Sequence, residues 1–132
     1  MATVGIVLVS HSPKLAAGLA ELLAQIGSEE VLVEVAAGSP SGGLGTDPAR
    51  VRAAIAKAGT ADGVVIIPDL GSSVLTVRAL FDEAGEAGAD GKVLVDAPFV
   101  EGAVAAAVAA ASGASLEEVA DAARAARDVP KL

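Results

Sequence analysis

Short runs of apolar, mostly β-branched residues alternate along this chain with segments that carry helix-start signals. The first run, residues 4–9 (VGIVLV), is almost continuously apolar, as expected of a strand covered on both faces. Further strands are predicted at residues 31–36, 64–67 and 93–95. Helices are predicted at residues 13–26, from residue 48 onward, at 72–84, from 98 to near 113, and at 116–126.

Strict alternation of strands and helices, with one additional helix at the end, predicts an α/β fold. Such a pattern favours a parallel four-stranded sheet with helices on both faces. Right-handed crossover connections leave few topologies, and the strand order 2-1-3-4 is the simplest of them. A chain of 132 residues is typical of one domain, so we expect residues 1–132 to form a single unit.

The first and last helices carry the clearest local signals. Ser12 is expected to be an N-cap, with Pro13 as the first helical residue and a stop at Gly27. Ser115 and Glu118 have the spacing of a capping box. Apolar residues at helical spacing predict that one stripe of the first helix faces the core: Leu15, Leu19, Leu22, Leu23 and Ile26.

Charge and composition exclude several functions. The net charge of −8 makes nucleic acid a poor partner, since phosphate neutralisation needs clustered cations. The chain has no Cys and one His, which leaves too few soft ligands for the metal site of a chelatase. Its first ten residues lack a basic leader, and the apolar residues 102–111 are too few to span a bilayer. We therefore expect a cytoplasmic protein with no membrane partner.

Polar residues follow the first and third predicted strands, at the point where the predicted strand order reverses. Ligands of such sheets bind there, beyond the carboxyl ends of the strands. This placement selects the only histidine, the end of a glycine-rich loop and the start of a helix. The candidate site residues are His11, Thr46, Asp69, Gly71, Ser72 and Ser73.

These residue types suit a phosphohistidine. A neutral imidazole is a nucleophile when one ring nitrogen is free, and Asp69 is a candidate acceptor for the N–H of the other nitrogen. Free N–H groups at the start of the helix at Gly71, and hydroxyls such as that of Thr46, are candidate donors to a phosphoryl group. The alternative is structural: a lone His after a strand is often merely exposed, and an Asp before a turn is often a cap.

Four motifs occur in order along the chain: SHS, GLGTD, PDLGSS and DAPFVEGA. Together they resemble the phosphotransferase subunits of bacterial dihydroxyacetone kinases, which have the fold of mannose-family IIA domains. The resemblance implies that His11 is phosphorylated, that Asp69 orients it, and that Thr46 and Ser72 line the phosphoryl pocket. Asp47 departs from the family, which often has a serine there.

The resemblance also implies partners. The phosphocarrier protein of the phosphoenolpyruvate-dependent phosphotransferase system would supply the phosphoryl group. ADP on a partner kinase subunit would receive it and become ATP, so this chain would need no cofactor of its own. The family also forms homodimers, and the nearly all-apolar helix at residues 100–111 is a candidate contact.

Other functions remain open on the sequence. A mannose-type IIA transporter domain would use the same chemistry at His11. A receiver domain would be phosphorylated on Asp69, but Ser10 and His11 stand where receivers need an acidic pair. A non-catalytic anion-binding module and a metal chelatase are the remaining alternatives.

Overall fold

The computed structural model describes residues 3–27, 29–84 and 90–132. Its sheet has four parallel strands: β1 (Gly5–Ser10), β2 (Val33–Ala37), β3 (Val64–Pro68) and β4 (Lys92–Leu94). Their order is β2-β1-β3-β4, which confirms the predicted α/β topology. The central strand β1 pairs on both sides, with Ile6 opposite Val33 in β2 and Val65 in β3.

Five α-helices follow the strands in the described ranges. They are α1 (Pro13–Ile26), α2 (Pro48–Ala58), α3 (Gly71–Ala84), α4 (Phe99–Ala111) and α5 (Leu116–Ala125), with a 3₁₀ turn at Ala126–Asp128. The predicted strand bounds differ from the observed ones by at most two residues. The largest difference is at the start of β2, which pairs with β1 only from Val33 onward. No helix in the described part of the chain is long and apolar enough to cross a bilayer.

Alternate residues of β1 point into two separate cores. Ile6 and Leu8 pack with residues of α1, α4 and α5 on one face of the sheet. Val7 and Val9 pack with residues of α2 and α3 on the other face. Both faces of β1 are therefore excluded from solvent, which explains why its sequence is an apolar run instead of an alternating pattern.

Side-chain caps fix where the helices begin. The Ser12 hydroxyl accepts a hydrogen bond from the Leu15 N–H at 3.2 Å, and the predicted capping box of Ser115 and Glu118 is present at α5. At α2 the carboxylate of Asp47 accepts from the N–H of Ala49 at 3.2 Å. At α1 and α2 the caps fix the first helical turn directly after the loops that leave the carboxyl ends of β1 and β2.

The predicted apolar stripe of α1 is only partly buried. Leu19 and Leu23 lie in the core, together with Ala16. Leu15, Leu22 and Ile26 are 46%, 41% and 43% exposed, so the prediction that they face the core was wrong. The stripe is wider than the surface that β1, β2 and α4 offer it, and its outer rows face away from the sheet.

One face of helix α4 is buried within the fold. Its small residues are buried against α1, α5 and the sheet: Gly102, Ala103, Ala106, Ala107 and Ala110. A Cβ added to Gly102 would lie 2.8 Å from the Cβ of Ala97, which shows how close this packing is. Val100 and Val108 are the large apolar residues of α4 that stay exposed.

Candidate functional site

The carboxyl ends of β1 and β3 bring together residues that are 58 positions apart in sequence. The N–H of Asp69, just past β3, donates to the carbonyl of Val9 in β1 at 2.9 Å. His11 follows the last residue of β1, and its Nδ1 lies 2.9 Å from Oδ1 of Asp69. The side chain of His11 is 23% exposed and that of Asp69 is 7% exposed. The carboxylate is therefore nearly buried, while the imidazole remains accessible to solvent.

The Asp69 carboxylate accepts hydrogen bonds from five donors. Oδ1 faces Nδ1 of His11, the Leu70 N–H at 2.7 Å and the Ser73 hydroxyl at 2.8 Å. Oδ2 faces the main-chain N–H of His11 at 3.0 Å and the Ser10 hydroxyl at 2.9 Å. This network holds the carboxylate in one orientation from both strands and from α3.

The network also sets the charge of Asp69. Burial raises the pKa of its carboxyl, but the hydrogen bonds from the His11 N–H, the Ser73 hydroxyl, the His11 ring and the Ser10 hydroxyl outweigh burial and lower that pKa to about 2. Asp69 is therefore ionised at neutral pH. An ionised carboxylate only accepts hydrogen bonds, so the proton between the two side chains belongs to Nδ1 of His11.

That assignment fixes the imidazole tautomer. With the proton on Nδ1, the other ring nitrogen, Nε2, carries a free lone pair. Nε2 faces the hydroxyl of Ser72 in the first turn of α3. The unprotonated ring nitrogen is thus directed at the start of a helix, where an anion is favourable.

The first turn of α3 offers fewer N–H groups than its sequence suggests. Helix geometry leaves those of Gly71 and Ser72 without intrahelical partners. The N–H of Ser73 instead donates to the carbonyl of Leu70 at 3.0 Å. The hydroxyl of Ser73 is also engaged with Asp69, and the residue is fully buried. Ser73 therefore supports the carboxylate from inside, and Gly71 and Ser72 remain as outward donors.

The glycine-rich loop closes the site from the other side. The N–H of Gly45 donates to the carbonyl of His11 at 2.9 Å, and its φ of 140° is one that a side chain rarely allows. Next to it, the hydroxyl of Thr46 lies 3.2 Å from that of Ser73. Asp47 caps α2 and lies 3.8 Å from Arg50, so its charge is directed to its own helix.

The structure brings the six candidate residues into one cluster, although their functional roles stay predictions. Sequence reasoning missed Ser10, whose fully buried hydroxyl donates to Asp69 and accepts from the Ser12 N–H at 3.1 Å. Its signal in the sequence is a polar residue that ends an otherwise apolar strand, directly before the only histidine.

Comparison with known proteins identifies the class. The family model of EIIA-man, the fructose IIA component of the phosphotransferase system, matches residues 5–120. The chain therefore belongs to this family of IIA proteins.

Similar proteins include phosphoryl donor subunits, DhaM, of phosphoenolpyruvate-dependent dihydroxyacetone kinases. The Klebsiella michiganensis subunit is 38% identical over 88% of this chain, which spans only 25% of that protein. The Listeria innocua subunit, of dihydroxyacetone kinase 2, is 31% identical over 88% of this chain and 93% of its own length. The crystal structure of EF1359, a protein of unknown function, has a TM-score of 0.81 at 34% identity and covers 92% of this chain and 93% of its own.

Proposed function

We propose that this chain is the phosphohistidine carrier of a phosphoenolpyruvate-dependent dihydroxyacetone kinase. His11 takes a phosphoryl group from the phosphocarrier protein of the phosphotransferase system and passes it to ADP on a kinase subunit. The observation that carries this proposal is the held Nδ1 of His11, which leaves Nε2 free before the first turn of α3. In this role the chain works in the cytoplasm, and ADP and ATP stay on the partner.

The first transfer requires no proton movement at His11. The Nε2 lone pair attacks phosphorus, the bond from phosphorus to the donor's histidine nitrogen breaks, and that electron pair stays on the donor. The proton stays on Nδ1, which donates to the Asp69 carboxylate, and the negative charge of that carboxylate stabilises the ring as it becomes positive. Phosphoryl oxygens then take the place of the Ser72 hydroxyl at Nε2 and accept from the N–H groups of Gly71 and Ser72.

The second transfer reverses the first at a new acceptor. A terminal phosphate oxygen of ADP attacks phosphorus, the bond from phosphorus to Nε2 breaks, and its electron pair returns to the ring. The Ser72 hydroxyl donates to a phosphoryl oxygen in both steps, and the Thr46 hydroxyl does so once it turns away from Ser73. These donors stabilise the negative charge that shifts among the phosphoryl oxygens. The fixed Asp69 keeps the imidazole in position for both steps.

Mass spectrometry tests the proposal directly. The intact protein is incubated with phosphoenolpyruvate, enzyme I and the phosphocarrier protein, and it should gain one phosphoryl mass that is acid-labile. Because His11 is the only histidine, His11→Ala should gain none. Addition of the kinase subunit with ADP should then remove the mass and form ATP. Uptake that persists in His11→Ala contradicts the carrier assignment.

The family model supports a second candidate. Its description, the fructose IIA component, favours a transporter domain that passes the phosphoryl group to a IIB protein. His11 would act identically, so only the acceptor distinguishes the two functions. Discharge by a mannose-family IIB protein, with none to the ADP-loaded kinase subunit, would select the transporter function.

A homodimer is part of the proposal. Since α4 is largely covered within the fold, the contact we propose includes α1: Leu15, Leu22 and Val100 line a shallow apolar groove between these helices. All three are at least 40% exposed, and burial of such a face favours a symmetric pair. Light scattering at micromolar concentration tests this, and a monomer mass rules it out without affecting the carrier role.

A further inference from the structure

A second opening lies beside the site of His11, between the loops that follow β3 and β4. This cleft has a volume of ≈ 370 Å³, and its wall includes Asp69, Leu70 and Gly71 from the phosphoryl site. Apolar side chains form much of the remainder: Pro68, Val74, Leu94, Val95 and Ala97. Leu70, at the junction of the two openings, is 62% exposed.

Arg78 lines the same cleft from α3. It follows Gly71 by seven residues, so two helical turns place both residues on one face, about 10 Å apart along the helix axis. The Cα–Cβ bonds of a helix tilt toward its N-terminus, which in α3 is the end beside His11. Arg78 forms no ion pair or hydrogen bond with any residue in the described ranges.

The other charges of the cleft are already compensated. Asp69 accepts hydrogen bonds from five donors, and the carboxylate of Asp96 pairs with Arg127 at 3.1 Å. Arg78 is thus the charged lining residue that the described part of the chain leaves without a partner. An exposed cation beside an apolar floor suits a surface that carries negative charge and an apolar side chain.

We infer that this cleft is the docking surface for the acceptor, and that Arg78 faces the nucleotide-bearing edge of the kinase subunit. The inference rests on the proposed function. A donor brings one phosphoryl group, which ends on His11 itself. An acceptor that holds ADP also brings the two phosphates of ADP, which are not transferred. Their negative charge lies outside the phosphoryl pocket, on the far side of the transferred group from Nε2. The Arg78 guanidinium, unpaired within the described ranges, provides a complement for that charge, and the apolar floor receives a side chain of the kinase subunit.

The test measures the two half-reactions separately on the full chain. Charging is the initial rate of phosphoryl gain from the phosphocarrier protein, and discharge is ATP formation from purified phosphoprotein with the ADP-loaded kinase subunit. In Arg78→Glu we expect discharge to fall about tenfold and charging to stay within about twofold, because a reversed charge repels only the acceptor. Arg78→Lys should recover most of the discharge rate, and high salt should narrow the difference.

Arg52→Glu is the matched control, since it makes the same charge change on α2 at a residue that does not line this cleft. It should leave both half-reactions within about twofold of wild type. Equal losses in charging and discharge by Arg78→Glu, an undiminished discharge, or the same loss in Arg52→Glu would each overturn the inference. Failure of the wild-type protein to charge or discharge would instead reject the proposed function.

Discussion

Replacement of Asp69 by asparagine tests the central hydrogen-bond network. The carboxylate accepts from five donors, whereas an asparagine side chain has a single acceptor oxygen. With the amide nitrogen on the Oδ2 side, it faces the main-chain N–H of His11. With the nitrogen on the Oδ1 side, it faces the Leu70 N–H and the imidazole. Either orientation sets a main-chain donor against an amide donor.

The magnitude follows from the pKa of Asp69 and from these unpaired donors. The network lowers that pKa from 3.8 to about 2, which corresponds to about 2 kcal/mol of folding free energy at neutral pH. An unsatisfied buried N–H adds about 1–3 kcal/mol. We therefore expect Asp69→Asn to lower the free energy of unfolding by about 3–5 kcal/mol. Phosphoryl uptake should fall by about 10²-fold or more, because the imidazole loses its fixed tautomer.

Three measurements check this prediction. Urea unfolding followed by circular dichroism gives the stability, since the chain has no Trp or Tyr for fluorescence. Intact mass at short times gives the uptake rate, and nitrogen NMR of the single histidine gives the tautomer. Asp62→Asn, an exposed change, is the control and should match wild type. A folded Asp69→Asn variant with uptake within about threefold of wild type and the proton still on Nδ1 would refute the reasoning.

Four further predictions concern packing and acid stability. A Cβ at Gly5 would lie 1.9 Å from the carbonyl oxygen of Ala58, so Gly5→Ala should cost about 3 kcal/mol or more in urea unfolding. Gly18→Ala, with nothing within 4 Å of the added carbon, should instead raise the unfolding free energy by about 0.5–1 kcal/mol. Ser73→Ala removes one donor to Asp69, which should cost about 1 kcal/mol and move the pKa of Asp69, read by carbon NMR, upward. Because that pKa is lowered in the fold, its contribution is complete above about pH 4 and is lost as pH falls toward 2, so the stability difference between wild type and Asp69→Asn should shrink over that interval.

The fold follows from local signals that all agree. The apolar runs, the Ser12 and Ser115 caps and the alternation of strand with helix predicted the sheet and its order, because each signal depends on neighbouring residues or on a general rule of handedness. The burial of α1 was predicted less well. Periodicity identifies an apolar stripe, but the area that the neighbouring elements leave for it decides which of Leu15, Leu19 and Leu22 is covered.

For the site too, the sequence predicted the overall placement of residues but not their detailed contacts. Topology alone predicted that His11 and Asp69 would meet, since the ends of β1 and β3 are neighbours in the order 2-1-3-4. The hydrogen-bond partner of each hydroxyl could not be predicted from the sequence. Ser72 and Ser73 are adjacent and alike, yet a rotation of about 100° around the helix turns one toward Nε2 and buries the other against Asp69.

The position of His11 and Asp69 directly after the two inner strands has a dynamic consequence. Every residue of β1 and β3 is buried, whereas β4 is only half-buried and β2 is half-buried at its start and exposed at Val35. Amide hydrogens in such inner strands exchange with solvent only when the whole domain opens, while edge strands open locally and often. His11 and Asp69 are thus joined to the part of the sheet that fluctuates least. Opening of either edge, during an encounter with another protein or by thermal motion, leaves the spacing of imidazole and carboxylate undisturbed.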